Sequence, residues 1–184
     1  MNAWLVFLDE SGFLLAPLVR RSWNPHGRTP VLRQRTGAHS KLSVIACLCV
    51  SPDRDRVRLY FRLHANQSID TSLVIGFLRG LMRQLDAPAV LVWDRLGAHR
   101  AHKVRDFLLQ ERRLHTRLLP PYAPELNPVE NVWSYLKLNP LSNLALSELD
   151  GLVEQSRRHS RALQKRERLL RSFVRHTPLP LRLT

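Results

Sequence analysis

Apolar positions fall into two patterns along this chain. Short unbroken runs, clearest in "WLVFL" (4–8) and "AVLVW" (89–93), are too brief for helices and too continuous for a half-exposed strand. They predict strands covered on both faces, the first over 4–9 and the second over 89–94. "KLSVIACLCV" and "RVRLYFRLH" read as a further pair joined by the polar "SPDRD". In the second of these Val57, Leu59 and Phe61 alternate with arginines and Tyr60, the signature of a strand with one wet face. Other stretches repeat at helical spacing. Val74, Phe77, Leu78, Leu81, Met82 and Leu85 predict a helix from about Asp70 to Leu85, closed by Ala87 and Pro88. Ala101, Val104, Phe107 and Leu108 predict another from about Ala98 to Arg113, followed by a short strand in "LHTRLLP".

The remaining segments complete the order. "LVRRSWNPHGRTPVL" carries Pro25, Gly27 and Pro30, which is turn chemistry between extended pieces. Beyond "PPYAPELNP", Asn127 suits an N-cap and Pro128 the first helical position, with Val129, Val132, Trp133 and Leu136 as the buried stripe. The last forty residues read as helical and basic. A three-strand meander followed by strands alternating with helices implies an α/β fold, a mixed sheet flanked by helices.

Composition narrows the partners. The chain has 184 residues, 44% of them hydrophobic, enough for one domain with a substantial core. Its formal net charge of +14 points to a polyanion, nucleic acid above all. Cys47 and Cys49, two apart on one strand, share a face and are expected as buried, reduced core thiols. No apolar stretch approaches the ~20 residues that cross a bilayer, and no secretory signal opens the chain, so the expected location is the cytosol.

The candidate chemistry lies in carboxylates. Two buried runs each end in an acid, "WLVFLDE" in Asp9 and Glu10 and "AVLVWD" in Asp94, although a buried carboxylate is costly unless paired. Strands linked by helical crossovers place ligand-binding groups at their carboxyl ends. If the two strands are parallel neighbours, Asp9 and Asp94 come together and call for a cation, and hard oxygen ligands select Mg²⁺ or Mn²⁺ over zinc. Glu10 competes with Asp9 for this role, and Asp94 could equally cap the helix at 98. Glu130, at the third helical position and off the buried stripe, is a third candidate; a capping box explains it as well.

Taken together, "FLDESGF", "WNPHGRTP", "VWDRLGAH" and "LPPYAPELNPVENVWSYLK" resemble, in order and spacing, the DDE transposases of bacterial insertion sequences in the mariner superfamily. The resemblance runs from about residue 4 to about 145. It implies a ribonuclease-H-like catalytic domain over 1–145, with 146–184 a basic helical extension packed on the same domain. It carries the acidic triad onto Asp9, Asp94 and Glu130, the last two separated by the 35 residues 95–129. These would hold two Mg²⁺ (or Mn²⁺) ions for phosphoryl transfer on DNA, first by water and then by the released 3′-hydroxyl. Arg95 stands where the family commonly has Asn. Arg95, Arg100, Lys103 and Arg28 are expected at the DNA, with His99 touching a phosphate or positioning water, or else packing or capping. Trp23 is expected either at a frayed base or packed under the turn.

The resemblance also implies insertion-sequence ends and target DNA as partners, a homodimer, and a bacterial, nucleoid-associated location. Only eight residues precede Asp9. A helix-turn-helix region is therefore expected from another reading frame, unless the copy is truncated. Two alternatives remain open: a ribonuclease-H-like nuclease that cuts without joining, and a non-catalytic DNA-binding remnant.

Overall fold

The longest strand, β1 (Trp4–Leu14), is the centre of a five-stranded sheet whose order is β3-β2-β1-β4-β5. The structure, a computed structural model, describes residues 2–15, 19–21, 23–29, 31, 41–144, 146 and 148–184. β2 (Lys41–Val50) and β3 (Val57–Ala65) form the antiparallel meander with β1. β4 (Ala89–Trp93) and β5 (Leu114–Leu118) follow in parallel on its other side. The helices are α1 (Thr71–Met82), α2 (Gly97–Arg100), α3 (His102–Gln110), α4 (Val129–Leu138), α5 (Leu149–Gln164) and α6 (Glu167–Arg175).

Strand alternation sorts the core into two layers. On one face Phe7, Phe13, Leu42, Val44, Ala46 and Leu48 pack against Val129, Val132, Trp133 and Leu136, the predicted stripe of α4, and against Leu163 and Leu170 of the C-terminal helices. On the other, Trp4, Val6, Leu8, Ile45, Cys47 and Cys49 meet Val74, Phe77, Leu78 and Leu81 of α1 and Val104 and Phe107 of α3. The two thiols are fully buried and free, as expected, with Sγ atoms 3.6 Å apart. Burial pushes the Cys47 thiol well above its ordinary value. Among the described residues no helix is long and apolar enough to cross a membrane.

Three expectations change. β1 does not stop at Asp9: its ladder with β2 continues to the Leu14–Lys41 pair, because a meander hairpin stays paired after the parallel neighbour has ended. The helix expected over 98–113 is two pieces, broken at Ala101, whose ψ of 145° is extended. Periodicity could not reveal this break, because alanine is itself a strong helix former and the cause is tertiary: the α2 side chain His99 turns inward. α1 ends at Met82, with Asp70 as a true N-cap accepting from the Leu73 N–H at 2.8 Å. In the turn segment, Gly27 (φ +79°) takes the left-handed position of a turn closed by the Arg28 N–H on the Pro25 carbonyl at 3.1 Å. Pro30 lies outside the described residues.

Candidate active site

The parallel β1–β4 ladder ends at the Phe7–Val92 pair. Extending that register by two residues sets Asp94 beside Asp9, at the point where β4 leaves the sheet and β1 continues alone with β2. Asp9 lies opposite Ala46 on β2, within a fully buried strand, so its backbone is rigid. Alternation aims its side chain at the α4 layer, where the Trp133 Nε1–H donates to its Oδ2 at 2.7 Å. The N-terminus of α4 is tied to the same strand. The Asn127 side-chain amide donates to the Leu8 carbonyl at 3.2 Å while its Oδ1 accepts from the Val129 N–H at 3.2 Å, so Asn127 caps the helix and pins it to β1.

This geometry excludes a capping box for Glu130. In a capping box its carboxylate would take the Asn127 N–H, but that N–H donates to the Pro124 carbonyl at 2.9 Å, within the 3₁₀ turn Pro124–Leu126. Glu130 instead borders a cleft of about 380 Å³, lined also by Asp9, Asp94, Arg95, Asn127 and the loop from Leu119 to Pro124. Tyr122, on that loop, is fully exposed and held in the left-handed region at φ +57°.

The three acids thus border one cleft. Burial, opposed by the Trp133 hydrogen bond and reinforced by the charges of Glu130 and Glu10, pushes the Asp9 pKa from 3.8 up to about 7. Among the described residues no basic side chain pairs with this carboxylate. As the side chains stand, no three His, Cys, Asp or Glu among the described residues converge tightly enough to enclose an ion. Two of the acids have an oxygen already committed, Asp9 Oδ2 to Trp133 and Asp94 Oδ1 to the Leu96 N–H at 2.9 Å. All three are hard oxygen donors beside one polar cleft, and this donor set suits Mg²⁺ or Mn²⁺.

The expected DNA contacts separate into three groups. Arg95 borders the cleft and is exposed; Arg100 and Lys103 are exposed on α2 and α3. Arg28 is exposed on its own turn and does not line the cleft, and Trp23 is fully exposed, not packed under that turn. His99 departs from the expected phosphate contact. Its side chain is 1% exposed, stacked on Trp93 at 4.3 Å, with Nε2 2.8 Å from Glu10 Oε1 and Nδ1 2.8 Å from Asp94 Oδ1. A phosphate cannot reach a ring so enclosed. Burial lowers the His99 pKa, but the hydrogen bond and charge of Glu10 and the charge of Asp94 outweigh it and raise it above the ordinary value. Glu10, which competed with Asp9 as a ligand, points to the opposite face of the sheet. The sequence reading missed Trp133 and Asn127 as partners of β1; their signal was the α4 stripe itself, which must lie against the strand bearing Asp9.

A family model described as DDE superfamily endonuclease matches residues 4–152 of this architecture. The chain belongs to that family. Among curated proteins, this DDE endonuclease chain is similar to the uncharacterized protein y4pE/y4sA of Sinorhizobium fredii (strain NBRC 101917 / NGR234), 37% identical over 86 residues. That match spans 46% of the chain and 61% of the relative. Among solved structures it resembles the Mos1 mariner paired end complex with Mn, at a TM-score of 0.65 and 16% identity over 94% of this chain and 53% of that one. It also resembles the catalytic domain of Mos1 mariner transposase, at a TM-score of 0.57 and 12% identity over 94% of this chain and 78% of that one. The likeness establishes the ribonuclease-H-like fold expected from the sequence. The chain spans about half the length of the Mos1 protein in the paired end complex.

Proposed function

We propose that this DDE endonuclease chain is the catalytic domain of an insertion-sequence transposase, cutting DNA at the element's ends and joining the released 3′-hydroxyl to a target. The observation that carries the reading is the shared cleft of Asp9, Asp94 and Glu130, with burial and the charges of Glu130 and Glu10 pushing the Asp9 carboxyl up to about 7. Two divalent cations, Mg²⁺ or Mn²⁺, would be held by these three carboxylates, and the likeness to a Mos1 paired end complex with Mn supports the choice. When bound, they would supply charge stabilisation to the attacking and leaving oxygens of an in-line displacement.

The chain's own residues do the rest. Trp133 fixes the Asp9 carboxylate through Oδ2, and Asn127 holds the start of α4, and so Glu130, against β1. Arg95 at the cleft rim, with Arg100 and Lys103 beyond it, is placed to hold backbone phosphates, which sets the register of the DNA without reading its sequence. Arg28, outside the cleft, would touch DNA farther along. No side-chain nucleophile is required, since water and then the DNA 3′-hydroxyl attack phosphorus directly. The C-terminal segment 146–184 belongs to the same folding unit in this reading, its Leu163, Leu170 and Val174 lying in the core that also holds α4. The active form would be a homodimer in the bacterial nucleoid, with end recognition supplied by a separately encoded or frameshift-fused helix-turn-helix domain.

The test is cleavage of an end-labelled duplex with Mn²⁺ or Mg²⁺, followed by a strand-transfer assay. Asp94→Asn is expected to abolish metal-dependent cleavage with folding and salt-sensitive DNA binding retained. Unchanged cleavage would refute the assignment. Cleavage without joining would instead identify a nuclease of the same fold, and DNA binding with no metal dependence a non-catalytic remnant.

A further inference from the structure

We propose that Glu10 and His99 form a positioning pair that holds the Asp94 carboxylate from beneath the sheet. The inference rests on the active-site reading above and deepens it.

Asp94 needs outside support because of where it stands. The ladder joining β4 to β1 stops at Val92 and the one joining it to β5 at Trp93, so Asp94 is the first residue past both. Glu10 is differently placed: it sits opposite Ile45 on the fully buried β2, mid-way along a continuous ladder. The imidazole of His99 spans the two, with 2.8 Å contacts to Glu10 Oε1 and Asp94 Oδ1. Nε2 hydrogen-bonds the Glu10 carboxylate, while Nδ1 faces the Asp94 residue twice, at its backbone carbonyl (3.4 Å) and at ion-pair distance from Oδ1. The ring thus ties the residue just past the end of β4 to the continuous β1–β2 ladder, on the side where the β1–β4 ladder has ended.

The cost of this arrangement argues that it does more than fill space. The Glu10 side chain is 12% exposed and its Oε2 is buried with no partner among the described residues. A half-satisfied buried carboxylate is worse for stability than an apolar side chain of similar size. The fold also breaks the helix at Ala101, and His99 lies flat on Trp93 at an interplanar angle of 13°, which fixes the ring plane. The Leu96 N–H and His99 Nδ1 both converge on Oδ1 of Asp94. This leaves Oδ2 as the oxygen available to the cleft. Glu10 is therefore not an alternative ligand to Asp9, although the two are adjacent; it reaches the site through His99.

The experiment measures Mn²⁺ affinity of the full chain without DNA, from the free-Mn²⁺ electron paramagnetic resonance signal, beside thermal melts and circular dichroism. Partners that orient a metal ligand typically contribute 10- to 100-fold in affinity. Glu10→Ala is expected to weaken Mn²⁺ binding at least about 10-fold at that scale, with the spectrum unchanged. Glu10→Gln, whose amide oxygen still accepts from Nε2, should recover most of the loss. His99→Ala should match Glu10→Ala, and the double variant should lose no more than either, as expected when two residues act as one unit. At saturating Mn²⁺ the single variants should lower kcat for cleavage and leave KM for DNA unchanged. If Glu10→Ala does not fold, His99→Gln, which can reach only one of the two carboxylates, carries the same expectation. Mn²⁺ binding that requires Asp94 but ignores Glu10 and His99 overturns the pair alone. Binding that survives Asp94→Ala overturns the active-site reading with it.

Discussion

Replacing Asp9 by asparagine should make the metal-free protein more stable at neutral and alkaline pH, although it destroys the proposed catalytic site. The Asp9 carboxyl has an ordinary pKa of 3.8, while burial and its acidic neighbours raise the folded value to about 7. Below about pH 4 the group is protonated in both states and costs nothing. As pH rises toward 7 the unfolded chain loses this proton before the folded one, so the folded state is progressively destabilised, and above 7 the penalty is complete. A shift of about three units at 1.36 kcal/mol each puts that penalty at about 4 kcal/mol. Asparagine is neutral throughout and its amide oxygen can still accept from Trp133 Nε1. For a chain of this size about 4 kcal/mol corresponds to roughly 8–16 °C in Tm. Differential scanning calorimetry in EDTA, from pH 4 to pH 8, should show the two proteins melting together at the acid end, with Asp9→Asn increasingly the more stable toward pH 8. Mn²⁺ at pH 8 should raise the Tm of the wild type and leave that of Asp9→Asn nearly unchanged. Parallel curves across the whole range would refute the reasoning, because they would mean that Asp9 ionises as easily in the fold as in water.

Two further outcomes test the frame around the site. Tyr122→Gly should gain about 0.5–1 kcal/mol in urea unfolding, since glycine relieves the left-handed backbone of an exposed residue that packs against nothing; a loss would show that the ring is held in solution. Leu163→Ala, at a position 1% exposed in the core shared with α4, should cost about 2–5 kcal/mol and lower the Tm of one cooperative transition. A second, separate transition for the C-terminal helices would show that 146–184 folds on its own.

Much of this architecture was legible because its signals were local. The stripe Val129, Val132, Trp133 and Leu136 is buried as periodicity required, and the meander followed by crossover units produced the observed strand types. Asp9 and Asp94 could be picked out because an acid closing an apolar run is costly wherever it falls. The choice between Asp9 and Glu10 was not legible. Alternation places consecutive residues on opposite faces, but β1 is buried on both faces up to Leu8, so nothing in the run says which face α4 will cover. For His99 the sequence left phosphate contact and packing both open, for a related reason. Its partners are Glu10, 89 residues away, and Asp94, five residues back, and a side chain on a short basic segment reads as solvated until the sheet brings Glu10 beneath it.

The parallel β1–β4 pairing also governs when the site comes into being. Asp9 and Asp94 are brought together only by closing a loop of about 85 residues, a non-local contact that is slow to form. Glu130 arrives still later, carried by a helix that cannot dock until β1 has a face to receive it. A nascent chain emerging from the ribosome therefore carries the three acids apart until residues well past Asp94 have been made. Any partial unfolding that frees β4 from β1 separates Asp94 from Asp9 again.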